Sequence, residues 1–128
     1  MITAGLDGGS RAVKAVLWDA AAGRILARAV RDSAVDAAGV ASACLDEACA
    51  AAGLARGRID RLVATGYARG AVAGATRQVT EITCHARGVA HLLPQARAVV
   101  EIGGQDSKVI RLDPGGRVAD FAMNDRCA

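Results

Sequence analysis

Short apolar runs broken by glycine turns occupy both ends of this chain, and a helical period occupies its middle. Residues 1–7 and 12–18 read as two strands joined by the turn Gly8-Gly9-Ser10. Residues 24–30 (Arg-Ile-Leu-Ala-Arg-Ala-Val) predict a third strand after an Ala-Ala-Gly turn. Residues 36–52 are alanine-rich, with Val40, Cys44, Leu45 and Ala48 at spacings that share one helical face. Gly53 supplies the C-terminal stop of that helix. Residues 59–65 predict a fourth strand, and residues 80–93 a second helix closed by Pro94. Three further strands follow at 97–102, 107–113 and 117–123, the last two joined by Pro114-Gly115-Gly116.

The order is three strands, helix, strand, helix, then three strands again, so the second block restarts the plan of the first. This predicts a first lobe over residues 1–96 and the opening of a second over 97–128. The second block reaches no helix of its own. A three-stranded sheet with apolar residues needs a partner layer, so the second lobe is expected to be unfinished within these 128 residues.

Composition changes this picture only a little. Hydrophobic residues make up 52% of the chain and aromatics 2%, so the core must be built from Ala, Val, Leu and Ile. The net charge of +3 is mild, the arginines are dispersed, and stacking aromatics are nearly absent. That argues against a nucleic-acid partner. The chain starts without a basic leader, and no apolar run reaches the roughly 18 residues of a membrane span. A cytoplasmic protein with no membrane partner is expected. The four cysteines form no CxxC pair and read as free thiols or metal ligands rather than disulfides.

The chemistry lies in a turn pattern that occurs twice. The first copy is Gly5-Leu6-Asp7-Gly8-Gly9-Ser10 followed by Lys14, and the second is Glu101-Ile102-Gly103-Gly104-Gln105-Asp106-Ser107-Lys108. Glycines let backbone N–H groups approach an anion with no Cβ in the way. Two such turns, each edged by a carboxylate, predict a nucleotide gripped between two related lobes with a metal ion in the cleft. Asp7 is the candidate Mg²⁺ ligand, acting through water; a turn-forming Asp is the plain alternative. Gly9, Ser10 and Arg11 would offer N–H groups and a hydroxyl to phosphate, and Lys14 would neutralise its charge. Without the second copy, a hairpin turn with a surface lysine would explain the first equally well. Gly103, Gly104 and Gln105 extend the cradle, with Gln105 placed to contact the γ-phosphate or orient the attacking water. Glu101 or Asp106 could hold metal, or simply accept turn N–H bonds.

The remaining cysteines and histidines carry weaker signals. Cys127 follows Asn124-Asp125, a stretch with N-cap character, and a helix start lowers a thiol's pKa. A buried inert thiol is the alternative. Cys44 and Cys49 are five apart, do not share a helical face, and read as core or surface thiols. Cys84-His85 reads as packing, His91 as helix surface, and Thr65-Gly66-Tyr67 as loop architecture near the cleft.

Taken in order, Gly-Leu-Asp-Gly-Gly-Ser with Lys14, Thr-Gly-Tyr-Ala-Arg, Glu-Ile-Thr-Cys-His-Ala-Arg-Gly, Ile-Gly-Gly-Gln-Asp-Ser-Lys and Phe-Ala-Met-Asn-Asp-Arg-Cys-Ala resemble one family. It is that of the ATP-dependent activators of 2-hydroxyacyl-CoA dehydratases and the related ATPase subunits of benzoyl-CoA reductase. The resemblance covers essentially the whole chain as an N-terminal half. It implies an α/β, actin/hexokinase-like ATPase of RNase-H-like lobes: one full lobe and the first three strands of a second. It implies ATP/ADP and Mg²⁺ as ligands, and a homodimer sharing one 4Fe-4S cluster, with Cys127 matching the first ligand of each protomer. It further implies a ferredoxin or flavodoxin donor and a CoA-thioester dehydratase or reductase partner. A small-molecule kinase of the same fold and a non-catalytic nucleotide-binding fragment are the competing classes. One departure is Tyr67-Ala68-Arg69 where the family pattern has Tyr-Gly-Arg; a positive φ there would strain Ala68.

Overall fold

In the computed structural model, which describes residues 1–124, the first five strands form one mixed sheet in the order β3-β2-β1-β4-β5. β1 (Ile2–Gly8), β2 (Ala12–Asp19) and β3 (Arg24–Asp32) are an antiparallel meander. β4 (Arg61–Thr65) then pairs parallel with the other edge of β1, and β5 (Arg77–Gln78) parallel with β4. A parallel neighbour needs a crossover, and α1 (Ala37–Ala52) supplies it.

Register decides which face α1 covers. Ala4 lies opposite Leu17 on β2 and Leu62 on β4, and Leu6 opposite Ala15 and Ala64. All six are buried, and Ala29 continues the row beyond Ala15. α1 adds Ala41, Cys44, Leu45, Ala48 and Cys49 to the same core. Leu6 and Leu17 are fully buried, and each gains about 2 kcal/mol from leaving water. The alanines contribute little area but let helix and sheet approach closely.

The helix ends follow their sequence signals. The Asp36 side chain accepts a bond from Gly39 N at 2.9 Å and caps the start. Gly53, at φ 65°, donates to Ala50 O, and Leu54 N donates to Cys49 O, closing the C-terminus in a Schellman turn. The predicted split of Cys44 and Cys49 onto different faces does not place either at the surface. A small-residue helix pressed against a sheet buries a wide arc, and both thiols lie inside it.

Three features differ from the sequence reading. β4 starts at Arg61 rather than at residue 59, because a 3₁₀ turn at Arg56–Arg58 precedes it; Ile59 packs on the core from that turn. The segment after β4 holds a second 3₁₀ turn, Arg69–Ala71, and the two exposed residues of β5, too short to show any alternation. The third difference concerns the second helix, α2 (Glu81–Leu92).

The chain divides into compact units between Val79 and Thr80, so α2 goes with the second sheet and not with residues 1–79. That sheet is an antiparallel meander of β6 (Ala98–Ile102), β7 (Ser107–Leu112) and β8 (Val118–Asn124). Ile82, Ala86 and Val89, at i, i+4 and i+7 on α2, pack against Val99, Ile110, Leu112 and Val118. The second sheet therefore has a helix over one face, where the sequence order suggested none. Its other face stays open, with Val100 69%, Ile102 82% and Val109 51% exposed. Among the described residues no helix is long and apolar enough to cross a membrane.

Burial raises the pKa of both the Cys44 and Cys49 thiols above the ordinary value. In the native chain at neutral pH, alkylation followed by peptide mass analysis is expected to label half-buried Cys84 well before Cys44 or Cys49. Comparable labelling of all three would show that α1 does not seal the core.

Candidate functional site

Asp7 stands near the end of β1, and its register partner on β2 is Lys14. Lys14 Nζ donates to Asp7 Oδ2 at 3.0 Å. Both side chains are partly exposed, so the pair contributes at most about 1 kcal/mol to stability. What the pair fixes is the position of an ammonium group at the mouth of the turn.

The second oxygen of Asp7 is the more informative atom. Oδ1 is buried with no protein partner, and so is Oγ1 of Thr65, the register partner of Asp7 on β4. Two neighbouring buried oxygens without partners would cost about 1–3 kcal/mol each if left dry. A hydrated Mg²⁺ suits them, because its waters can donate to both while the ion keeps most of its shell. No group of three or more His, Cys, Asp or Glu side chains converges on a metal position among the described residues. Asp7 and Thr65 are the residues here that could hold such an ion through its waters.

The loop after β4 braces this turn. Gly66 has φ 91°, and a Cβ there would lie 2.7 Å from the carbonyl carbon and oxygen of Gly8 as well as against Asp7 Oδ1. Ala68 N donates to Gly8 O at 2.8 Å. Ala68 itself sits at φ −93°, ψ 19°, and no non-glycine residue among those described has positive φ. The positive φ that would strain Ala68 is not needed there; the left-handed position is two residues earlier, at a glycine. Ser33 holds the other side: Oγ donates to Gly9 O at 2.6 Å, and its N–H donates to Arg11 O at 3.0 Å. Gly9 lies over the ion pair, 3.2 Å from Lys14 Nζ at the position a Cβ would take. Ser10 and Arg11 are exposed at the tip.

The second turn repeats this arrangement with one change. Glu101 on β6 is in register with Lys108 on β7, as Asp7 is with Lys14. Lys108, however, is buried, and its Nζ lies 3.1 Å from Glu101, 2.5 Å from Asp106 and 3.2 Å from Glu81 of α2. Desolvation alone would lower its pKa, but the hydrogen bonds it donates to Asp106, Glu101 and Glu81 outweigh it and hold the proton more firmly than in ordinary lysine. Glu101 and Asp106 thus have an ammonium of the chain itself as partner. Gly103 N closes the turn on Asp106 O at 2.8 Å, so that amide is committed within the protein. Gly104 and Gln105 are exposed at the tip.

The structure thus groups Asp7, Gly9 and Lys14 at one turn, with Ser10 and Arg11 beside them, and Glu101, Gly103 and Asp106 at the other, with Gly104 and Gln105 beside them. Cys127 lies outside the described residues. Sequence reasoning missed Thr65 and Gly66 as neighbours of Asp7, and gave Lys108 no role. The signal for Lys108 was present: a carboxylate followed by lysine seven residues later, at both turns.

Residues 4–128 match the model of the BadF/BadG/BcrA/BcrD ATPase family. The chain is 42% identical over 128 residues to the 2-hydroxyisocaproyl-CoA dehydratase activator of Clostridioides difficile, covering 100% of this chain and 47% of that protein. It is 34% identical to a benzoyl-CoA reductase polypeptide of Thauera aromatica, over 99% of this chain and 46% of that one. The solved structure of the Clostridium difficile activator with bound ADPNP matches with a TM-score of 0.92 at 41% identity, covering 100% of this chain and 47% of that one. The chain spans about half the length of the curated relatives it matches. Its fold is that of the actin/hexokinase-like ATPases, a five-stranded unit with α1 followed by a second unit of α2 and three strands.

Gly66→Ala is expected to destabilise the chain by more than about 1 kcal/mol in urea unfolding, since it adds left-handed strain to a collision with Gly8. Gly57→Ala, with open space around its Cβ and no positive φ, is expected to be near neutral. Equal effects would show that the loop does not brace the turn.

Proposed function

This chain belongs to the BadF/BadG/BcrA/BcrD ATPase family, and from that premise we propose that it works in an ATP-hydrolysing iron–sulfur activator. The activator passes a low-potential electron to a 2-hydroxyacyl-CoA dehydratase or to a benzoyl-CoA reductase-type partner. The observation that carries the nucleotide reading is the Asp7–Lys14 pair beside the two unpartnered oxygens at a glycine turn. A relative at 41% identity whose structure holds ADPNP supports it.

Each residue has a part in this reading. Lys14 gives one N–H to Asp7 and keeps the others for phosphate oxygens. Gly9, Ser10 and Arg11 offer the tip of the first turn to the same phosphates. Asp7 and Thr65 would hold Mg²⁺ through its waters, and the ion would supply charge neutralisation at the phosphates. At the second turn, Gly104 and Gln105 face solvent, and the Gln105 amide orients the attacking water. Glu101 and Asp106 set the shoulders of that turn.

The electron-transfer half of the proposal rests on the family and on Cys127. Cys127 would be one ligand of a 4Fe-4S cluster shared by two copies of the protein, and such a cluster would supply one-electron chemistry with ferredoxin or flavodoxin as donor. Relatives named as dehydratase activators and as a component of benzoyl-CoA reductase support a CoA-thioester partner.

In the full chain, Gln105→Ala is expected to lower kcat for ATP hydrolysis by on the order of tenfold or more with little change in nucleotide affinity. An unchanged rate would remove Gln105 from the mechanism. Cys127→Ser is expected to abolish the visible absorbance gained on anaerobic iron and sulfide reconstitution. Retention of that absorbance would assign the cluster to other ligands.

A further inference from the structure

Lys108 has no place in the roles above, although it is the most deeply buried charge among the described residues. An ammonium group has three N–H donors. Here they meet three carboxylates, Glu101, Asp106 and Glu81, at 3.1, 2.5 and 3.2 Å. None is left for phosphate, and the side chain is only 4% exposed. Lys14, at the equivalent position of the first turn, has one carboxylate and is 47% exposed. The same spacing has thus been put to two uses.

The three carboxylates are not equivalent in the chain. Glu101 enters the second turn and Asp106 leaves it, so one ammonium holds both shoulders. Glu81 lies in the first turn of α2, where a carboxylate also suits the helix dipole. Between the shoulders lie two glycines, Gly103 and Gly104, the residues with most conformational freedom to lose. Such a turn does not hold Gln105 still by itself. A buried ion pair of this kind gives little net stability, yet breaking it from one side is costly, which suits a device for placing groups.

We infer that Lys108 is a positioning residue for the second turn: it clamps Glu101 and Asp106 to each other and to α2, and so presents Gly104 and Gln105 in one place. The inference rests on the nucleotide reading of that turn. Lysine is required by shape, because three acceptors converge on one point and the planar fork of arginine cannot meet them all.

The test uses the full chain and four proteins: wild type, Lys108→Arg, Gln105→Ala and the double variant. Lys108→Arg keeps the charge and is expected to melt cooperatively near wild type. Its kcat for ATP hydrolysis is expected to fall about tenfold or more, with the dissociation constant for Mg·ADP within about threefold. In the arginine background, Gln105→Ala is expected to cost little further, because the amide is already misplaced. A wild-type kcat in Lys108→Arg, or effects that simply multiply, would overturn the inference: any buried cation would then serve. Lys108→Met, if folded, is expected to show the same loss of kcat; if it fails to fold, the arginine variant decides. A wild type that neither binds Mg·ADP nor hydrolyses ATP overturns the nucleotide reading and this inference together. A hydrolysing wild type beside an unimpaired arginine variant overturns the inference alone.

Discussion

Strand β1 is hydrogen-bonded along both edges, and its register against each neighbour sets the core and the site together. One face of β1 carries Ala4 and Leu6 into the core beneath α1, and the other carries Asp7. Because side chains alternate with period two, a slip of one residue would bury Asp7 and expose Leu6. The apolar packing that fixes the register therefore also fixes the carboxylate. From the antiparallel side Asp7 receives Lys14, and from the parallel side Thr65. No local stretch of sequence could bring those three together, since the crossover through α1 separates Thr65 from the first two.

The two turns show how one spacing can serve two physical ends. Each places a carboxylate and a lysine opposite each other on neighbouring strands, with a glycine against the carboxylate. In the first, solvent reaches the lysine, so the ion pair is weak and the ammonium keeps donors to give. In the second, α2 covers the face and supplies Glu81, and the ammonium becomes fully engaged. The difference lies in what packs above the pair. Exposure leaves a charge available to a ligand; burial with matched partners turns it into structure.

This division also accounts for where the family resemblance is strong and what it leaves open. The fold described here is shared over this whole chain by a relative at TM-score 0.92 whose structure holds ADPNP. The chain covers less than half of that relative, so the electron-transfer proposal rests on the family rather than on the residues described here.

Much of the fold was legible in the sequence. Each long strand, the stop Gly53 on α1, and both glycine turns announce themselves through local period and turn chemistry. Asp7, Gly9, Lys14 and Gln105 stand out for the same reason, as residue types at fixed offsets. Tertiary structure alone decided the rest. Two-residue β5 has no period to read, and it exists because the edge of β4 needs a parallel neighbour. The stripe Ile82, Ala86, Val89 shows that α2 is amphipathic but not which sheet it covers. Gly66 rather than position 68 takes the left-handed turn because Gly8 lies against it. Lys108 reads as one more lysine until three carboxylates from three elements close around it. Local patterns fix how each segment folds, while partners distant in sequence fix which charges are buried, and only the second settles what a lysine is for.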